Sequence, residues 1–144
     1  MFMGEYAHTI DAKGRLIIPA KFRDGLGESC VVTKGFDGCL TVFTVEGFQK
    51  LANSLNNLAS SKASVRTIKR FFFGSATDLG FDKQGRVLIP SVLRAHAKLK
   101  KETVIVGAND RVEIWSREEW DAYNESVADE IENLAESLDD SIVF

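Results

Sequence analysis

The feature that most constrains this 144-residue chain is a nine-residue motif that occurs twice. The first copy runs from Asp11 to Pro19, and the second, 71 positions later, runs from Asp82 to Pro90. Their sequences are DAKGRLIIP and DKQGRVLIP, so aspartate, glycine, arginine, isoleucine and proline recur in register. Because the chain contains two related units, we expect a fold with internal pseudo-two-fold symmetry.

Each motif is predicted to begin with a tight turn. Glycine reaches positive φ at little steric cost, so Gly14 and Gly85 suit the sharpest position of the turn. Asp11 and Asp82 can accept hydrogen bonds from the turn amides. We expect these four residues to shape the two loops.

A short strand and a short helix are predicted to follow each turn. The apolar runs Leu16–Ile18 and Val87–Ile89 are typical of a short buried strand. The prolines that close the motifs are the only two in the chain. Proline ends a strand ladder and suits the first position of a helix, so we expect helices over 20–23 and 91–99.

Arg15 and Arg86 stand where each turn passes into its strand, and two interpretations of them are open. In the first, each guanidinium pairs with a guanine edge in the major groove of DNA. In the second, each arginine is structural and pairs with the aspartate of its own motif.

Three further polar residues belong to the DNA interpretation. Lys13 and Lys83 would contact phosphates, and Gln84 would pair with an adenine edge. The two turns differ here, because Gln84 occupies the position that matches Lys13. The two loops are therefore not expected to make identical contacts.

The remainder of each unit predicts a β-hairpin and a helix. Strand-like segments at 30–33 and 40–43 flank a glycine-rich turn, and the same pattern recurs 72 positions later. Thr44 is expected to cap the helix of the first unit. Ser116 and Glu119 are expected to form a capping box in the second.

The two units are too small to be stable separately. A unit of about 50 residues with four short strands buries a marginal core and leaves open sheet edges. Two units in one chain can interleave their strands and close a barrel, which pools the apolar faces and removes the edges. This arrangement would give the two Gly-Arg turns related positions, as a reader of pseudo-symmetric DNA requires.

Two helices are predicted between the units. The first has an apolar face that we expect to pack on the sheet, formed by Phe48, Leu51, Leu55 and Leu58. A polar break at 56–64 separates it from a second helix over 65–73. Arg66, Lys69 and Arg70 share a face of that helix, either as a solvated face or as a second phosphate-contacting patch.

Charge is distributed unevenly along the chain. The net charge is −3, but residues 1–112 hold 17 Lys and Arg against 10 Asp and Glu, and residues 113–144 hold 1 against 11. A basic body with an acidic tail fits a phosphate-binding surface kept apart from a partner-facing segment. It equally fits an ordinary solvated acidic helix.

The last helix is predicted to continue beyond the second unit with an apolar seam. The seam has a near-heptad period and consists of Trp120, Tyr123, Val127, Ile131, Leu134 and Leu138. It could pack on its own domain or on another subunit.

Other functional classes find little support in the sequence. Cys30 and Cys39 match no zinc spacing, so we expect buried thiols on neighbouring strands, with no metal site and no cofactor. No apolar run approaches a membrane span, and the N-terminus lacks the features of a signal peptide, so a cytoplasmic protein is expected. No catalytic set and no small-molecule substrate are predicted.

The chain resembles the MraZ family over nearly its whole length. The resemblance rests on the doubled Asp-x-x-Gly-Arg motif with its Ile-Pro ending, and on the segments 4–6, 8–11, 18–23 and 70–74. The family belongs to the AbrB/SpoVT-like superfamily of swapped-hairpin β-barrels. The resemblance implies a nucleoid-associated bacterial regulator of transcription of the division and cell-wall gene cluster. It also implies a ring-shaped homo-oligomer that binds repeated promoter boxes on double-stranded DNA through loops 11–15 and 82–86.

The repeats and the resemblance together imply an α+β fold. Two tandem AbrB-like βαββ(α) repeats would interleave into a swapped-hairpin, double-psi-type β-barrel, with helices between and after them. The expected boundaries are 5–47 for the first repeat, 48–75 for the connecting helices, 76–119 for the second repeat, and 120–144 for the acidic C-terminal helix and tail.

Two alternatives to a DNA-binding regulator stay open. Asp11 and Asp82 are the only repeated acids that could form a symmetric catalytic pair on such a barrel. The acidic helix could instead serve a non-catalytic interaction module or antitoxin-like scaffold, which is compatible with DNA binding.

Overall fold

A computed structural model describes residues 1–143, which form two interleaved repeats followed by a helical tail. The strands are β1 (Phe2–Thr9), β2 (Arg15–Ile17), β3 (Ser29–Lys34), β4 (Leu40–Thr44), β5 (Thr77–Gly80), β6 (Arg86–Leu88), β7 (Glu102–Asn109) and β8 (Val112–Ser116). The α-helices are α1 (Ala20–Leu26), α2 (Val45–Asn56), α3 (Ala63–Phe73), α4 (Ser91–His96), α5 (Arg117–Val127) and α6 (Ile131–Glu136). Short 3₁₀ helices occupy Phe36–Gly38 and Ala128–Glu130.

Both sheets contain strands of both repeats, which confirms the predicted interleaving. A six-stranded antiparallel sheet has the order β1-β7-β8-β4-β3-β5, and β2 pairs with β6 in a second sheet. The first strand of each repeat pairs with the third strand of the other, as β1 with β7 and β5 with β3. A bridge between Ile10 and Leu16 links the two sheets. The fold is therefore α+β with swapped hairpins, and each repeat has the order ββαββα.

The core lies between the six-stranded sheet, the β2-β6 pair and helices α1 and α4. Leu16 and Val87 point into this core from the inner face of the β2-β6 pair. Phe22 on α1 and Leu93 on α4 belong to the same core. All four side chains are at most 2% exposed. Fully burying an aliphatic or aromatic side chain contributes about 1.5–3 kcal/mol, so these residues fix the two motifs to the rest of the molecule.

The strands of the two motifs are only half buried, which corrects the prediction of wholly buried strands. Leu16 and Ile18 are buried, but Ile17 between them is 40% exposed. In the second copy, Leu88 is 58% exposed. Successive side chains of a strand point to opposite faces, and here one face meets the core while the other meets solvent.

Helix α2 begins as predicted, whereas the predicted capping box of α5 forms only in part. The Thr44 hydroxyl accepts a hydrogen bond from the Gly47 amide at 2.9 Å. The Ser116 hydroxyl likewise accepts from the Glu119 amide at 3.0 Å. The Glu119 carboxylate does not complete the box, because it pairs with Lys98 Nζ at 3.5 Å.

The connecting helices pack largely as predicted. Leu55 on α2 is buried, but Leu58 lies beyond the helix end and is 51% exposed. On α3, Arg66 donates to the Ser60 and Ser61 carbonyl oxygens at 3.1 and 2.9 Å. Arg66 therefore fastens the α2–α3 loop, although its side chain remains exposed.

The C-terminal helix is interrupted, which corrects the prediction of one continuous seam. Helix α5 ends at Val127, a 3₁₀ turn follows, and α6 begins at Ile131. The first part folds back on its own chain, since Trp120 packs against Trp115 of its own repeat at 5.1 Å between ring centroids and donates to Glu5 of the other repeat at 2.9 Å. The second part leaves Ile131, Leu134 and Leu138 about half exposed.

Both cysteines are buried free thiols, as predicted. Cys30 lies opposite Thr44 at one end of the β3-β4 hairpin, and Cys39 precedes β4 at the other end. Burial raises the pKa of Cys30 to about 11 and that of Cys39 to about 12. Within residues 1–143, no helix has the length and apolar character needed to cross a membrane.

Candidate nucleic-acid interface

The first motif forms a tight turn that is closed by its aspartate. The Gly14 amide donates to the Asp11 carbonyl oxygen, and the Asp11 amide donates to the Arg15 carbonyl oxygen, both at 3.0 Å. Asp11 Oδ1 accepts from the Lys13 and Arg15 amides at 3.0 and 2.9 Å. Gly14 has φ +90°, a conformation that other residues adopt only with strain.

The second motif repeats this geometry. Asp82 Oδ1 accepts from the Gln84 and Arg86 amides at 2.9 and 2.8 Å. The Gly85 amide donates to the Asp82 carbonyl oxygen at 3.0 Å, and Gly85 has φ +75°. The two turns are therefore equivalent in backbone structure, although Lys83 and Gln84 differ from the residues they match.

Hydrogen bonding keeps the two aspartates anionic. The backbone amide of Arg15 lowers the pKa of Asp11, with a further contribution from the guanidinium of the same residue. Arg86 lowers the pKa of Asp82 in the same way. A carboxylate held as an anion with both oxygens engaged is a poor general acid.

Each aspartate also orients the arginine of its motif. Arg15 Nε donates to Asp11 Oδ2 at 2.6 Å, and Arg86 Nε donates to Asp82 Oδ2 at 2.7 Å. The arginine side chains nevertheless keep 38% and 29% of their surface exposed. Within residues 1–143, the ion pairs use Nε and leave the terminal amino groups available. The structural ion pair and an outward-facing guanidinium thus coexist.

Strands β2 and β6 join the two motifs into one two-stranded ribbon. Arg15 lies opposite Leu88, Leu16 opposite Val87, and Ile17 opposite Arg86. Leu16 and Val87 face the core, so the outer face of the ribbon consists of Arg15, Ile17, Arg86 and Leu88. The two arginines stand at one diagonal of this face and the two aliphatic residues at the other.

Two arginines that were not predicted from the sequence pack against the glycines of the turns. Arg23 on α1 donates to the Ile18 carbonyl oxygen and packs against Gly85 of the other repeat. Arg94 on α4 donates from Nε to the Ile89 carbonyl oxygen at 3.0 Å and packs against Gly14. Their separation of 71 positions, equal to that of the motifs, is a signal that could have identified them.

The ribbon and its surroundings form a cationic surface. Lys13, Lys83 and Gln84 are exposed at the tips of the turns. With the ribbon arginines and the two supporting arginines, six cations surround two carboxylates, for a local net charge of +4. A convex surface of this charge attracts polyanions.

Other sites are less developed in the described part of the chain. No group of three or more His, Cys, Asp or Glu residues in 1–143 is arranged to hold a metal ion. A groove of about 870 Å³ runs along α2 and is lined by none of the ribbon residues.

The fold and the surface define a class of protein: an α+β molecule of two interleaved repeats that presents paired Asp-Gly-Arg turns on one cationic ribbon. A family model described as "MraZ protein, putative antitoxin-like" matches the chain twice, over residues 1–71 and 72–141. The chain belongs to the MraZ family.

Curated relatives agree with this assignment. A protein of Desulforamulus reducens named "Transcriptional regulator MraZ" is 52% identical over 97% of this chain and 99% of its own length. Proteins of the same name from Heliobacterium modesticaldum and Moorella thermoacetica are 53% and 51% identical, each over 97% of this chain and 98% of their own length.

Proposed function

We propose that this protein is a sequence-specific DNA-binding regulator of transcription whose β2-β6 ribbon enters the major groove. The observation that carries the proposal is the ribbon itself, on which two aspartate-held arginines occupy one diagonal of the outer face within a cationic surface. The major groove admits a two-stranded β-ribbon and presents a distinct pattern for each base pair. The names of the relatives support the same function.

Each polar residue of the surface has a role in this proposal. Arg15 and Arg86 pair with guanine O6 and N7 through their terminal amino groups, while Nε stays on the aspartate. Lys13 and Lys83 contact phosphates and supply the salt-dependent part of the affinity. Gln84 pairs with an adenine edge, so the two turns read different bases.

One ribbon offers few contacts, so useful affinity requires several subunits. We propose that a closed ring of identical subunits engages repeated promoter boxes simultaneously, because linked weak sites gain avidity without new contacts. On the basis of the family resemblance, we propose the division and cell-wall gene cluster as the target and association with the bacterial nucleoid as the location.

The test is a pair of binding titrations with Arg15→Ala and Arg86→Ala. A duplex selected from a random pool and a scrambled duplex are titrated at one stated salt concentration. Each substitution is expected to weaken binding to the selected duplex by about 1–3 kcal/mol, the range for one bidentate base contact, and to weaken scrambled binding far less.

Two control variants separate base reading from general attraction. Arg111→Ala removes an exposed charge from the β7-β8 turn, away from the ribbon, and should change neither affinity strongly. Lys13→Ala should weaken both duplexes similarly and lower the slope of affinity against salt by about one. Unchanged affinity for the selected duplex in both ribbon variants would contradict the proposed function.

A second candidate function is an antitoxin-like interaction module. It is favoured by the words of the family description and by the exposed apolar residues of α6. In this case the ribbon variants would bind DNA normally, and substitutions on α6 would abolish a protein complex.

A further inference from the structure

We infer that Ile17 and Leu88 contact the 5-methyl groups of thymines and so form the apolar part of the base-reading face. This inference rests on the proposed function and adds two specificity-determining residues to it. In the ribbon, one apolar residue of each motif lies outside the core.

The two exposed aliphatic residues occupy equivalent positions. Ile17 and Leu88 are separated by 71 positions, the spacing of the motifs, and are 40% and 58% exposed. Single exposed aliphatic residues are ordinary on protein surfaces. Here, however, both repeats place one at the same outward position of a strand that directly adjoins the cationic turns.

The register places each aliphatic residue beside an arginine of the other repeat. Ile17 lies opposite Arg86, and Leu88 lies opposite Arg15. Directly opposite residues have Cβ atoms about 4.5–5.5 Å apart, so each pair forms one compact contact surface. A polar group and an apolar group thus face a ligand together.

The spacing along the strand fits the spacing of bases. Alternate residues of a strand, such as Arg15 and Ile17, are about 6.6 Å apart, because the rise is about 3.3 Å per residue. Successive bases of one DNA strand are about 3.4 Å apart. An arginine on a guanine therefore brings the aliphatic residue of its own strand about two base steps away.

The chemistry of the groove selects the ligand group. In the major groove, the 5-methyl of thymine is the apolar group that direct readout uses, and aliphatic side chains contact it. The surrounding charge favours a polyanion over a neutral or basic surface, since six cations accompany two carboxylates. DNA is thus the occupant that matches both parts of the face.

The experiment is a double-mutant cycle that combines a change of base with a change of side chain. In a duplex selected by the full-length protein, each thymine is replaced in turn by deoxyuridine, which removes only the 5-methyl group. Wild type, Ile17→Ala and Leu88→Ala are titrated on every duplex. Val45→Ala is the control, because Val45 is 55% exposed on α2, outside the ribbon.

We expect the loss of a contacted methyl group to weaken wild-type binding about fourfold, the value of one buried methyl group. The alanine variant that lacks the contacting side chain should be insensitive to the same replacement. The Val45→Ala protein should keep the full wild-type response.

Several results would overturn the inference. Wild type could be indifferent to every deoxyuridine replacement while still depending on Arg15 and Arg86, which would leave the proposed function standing. An alanine variant could retain the full methyl response. Light scattering could show that the alanine variants change oligomeric state, in which case the two residues cover a subunit contact. A wild-type protein that prefers no duplex in the pool would overturn the proposed function and this inference together.

Discussion

At the scale of single residues, Asp11 and Asp82 each perform two tasks. One carboxylate oxygen holds two backbone amides of the turn, and the other holds the arginine Nε. The guanidinium can serve an aspartate and a base at once because its donors form a planar fork. A lysine could not satisfy both partners in this geometry.

These hydrogen bonds predict a turn that is sensitive only to strong acid. The pKa of Asp11 and of Asp82 is lowered from 3.8, chiefly by the amides of Arg15 and Arg86. Since the folded pKa lies below the unfolded value, the stabilisation is fully present above about pH 5 and is lost as the pH falls through the folded pKa. Between pH 5 and 8, neither aspartate should make the free energy of unfolding depend on pH.

Titration of the carboxyl carbons by NMR measures this directly. A native pKa at or above 3.8 for Asp11 or Asp82 would contradict the described hydrogen bonding.

At the scale of elements, each turn is hydrogen-bonded to the repeat to which it does not belong. The Ile89 amide donates to the Gly14 carbonyl oxygen at 2.8 Å, and the Ile18 amide donates to the Gly85 carbonyl oxygen at 3.1 Å. Arg23 and Arg94 add a second connection between the repeats, because each packs against the turn glycine of the other repeat. The ribbon is therefore rigid, which suits base contacts that depend on exact placement.

Two glycine substitutions test the packing of the first turn. Gly14 and Gly27 both have positive φ, a strained conformation for other residues, so alanine at either should lower the free energy of unfolding by about 1–3 kcal/mol. A Cβ on Gly14 would lie 2.7 Å from the Ile89 carbonyl oxygen. A Cβ on Gly27 would have no non-neighbouring atom within 4 Å. Gly14→Ala should therefore lose about 1–3 kcal/mol more than Gly27→Ala. Equal losses in urea denaturation would show that the turn is not closely packed.

Local chemistry made the turns, caps and hairpins predictable, because glycine, aspartate, threonine and proline act on neighbouring residues. Three features were not predicted. The register of β2 with β6 exposes Ile17 and Leu88, and a three-residue apolar run alone does not reveal which residue faces solvent. Arg23 reaches the turn of the other repeat. The interruption after Val127 carries no glycine or proline signal.

At the scale of the whole molecule, charge is divided between the ribbon and the tail. The ribbon carries positive charge, and residues 113–144 carry a net charge of −10. Helix α6 contains no buried residue, and its apolar residues Ile131 and Leu134 are 55% and 50% exposed. We expect this segment to contribute to assembly rather than to the fold.

Removal of residues 131–144 tests this division. The free energy of unfolding should change by less than about 0.5 kcal/mol, because surface segments of this kind contribute little to stability. Binding to a single promoter box should persist, and light scattering should show loss of the oligomer. The variant Leu134→Ser with Leu138→Ser keeps the charge of the tail and should lose the oligomer as well. A full-size oligomer in both proteins would assign assembly to another surface.

The central claim is that the paired arginines touch guanine bases in the major groove. Its most direct test replaces each guanine of the selected duplex by 7-deazaguanine, which removes the N7 acceptor and leaves base pairing intact. We expect at least one replacement to weaken wild-type binding tenfold or more, about 1.4 kcal/mol, and to leave Arg15→Ala or Arg86→Ala unaffected. Wild-type binding that is unchanged by every replacement would contradict the claim.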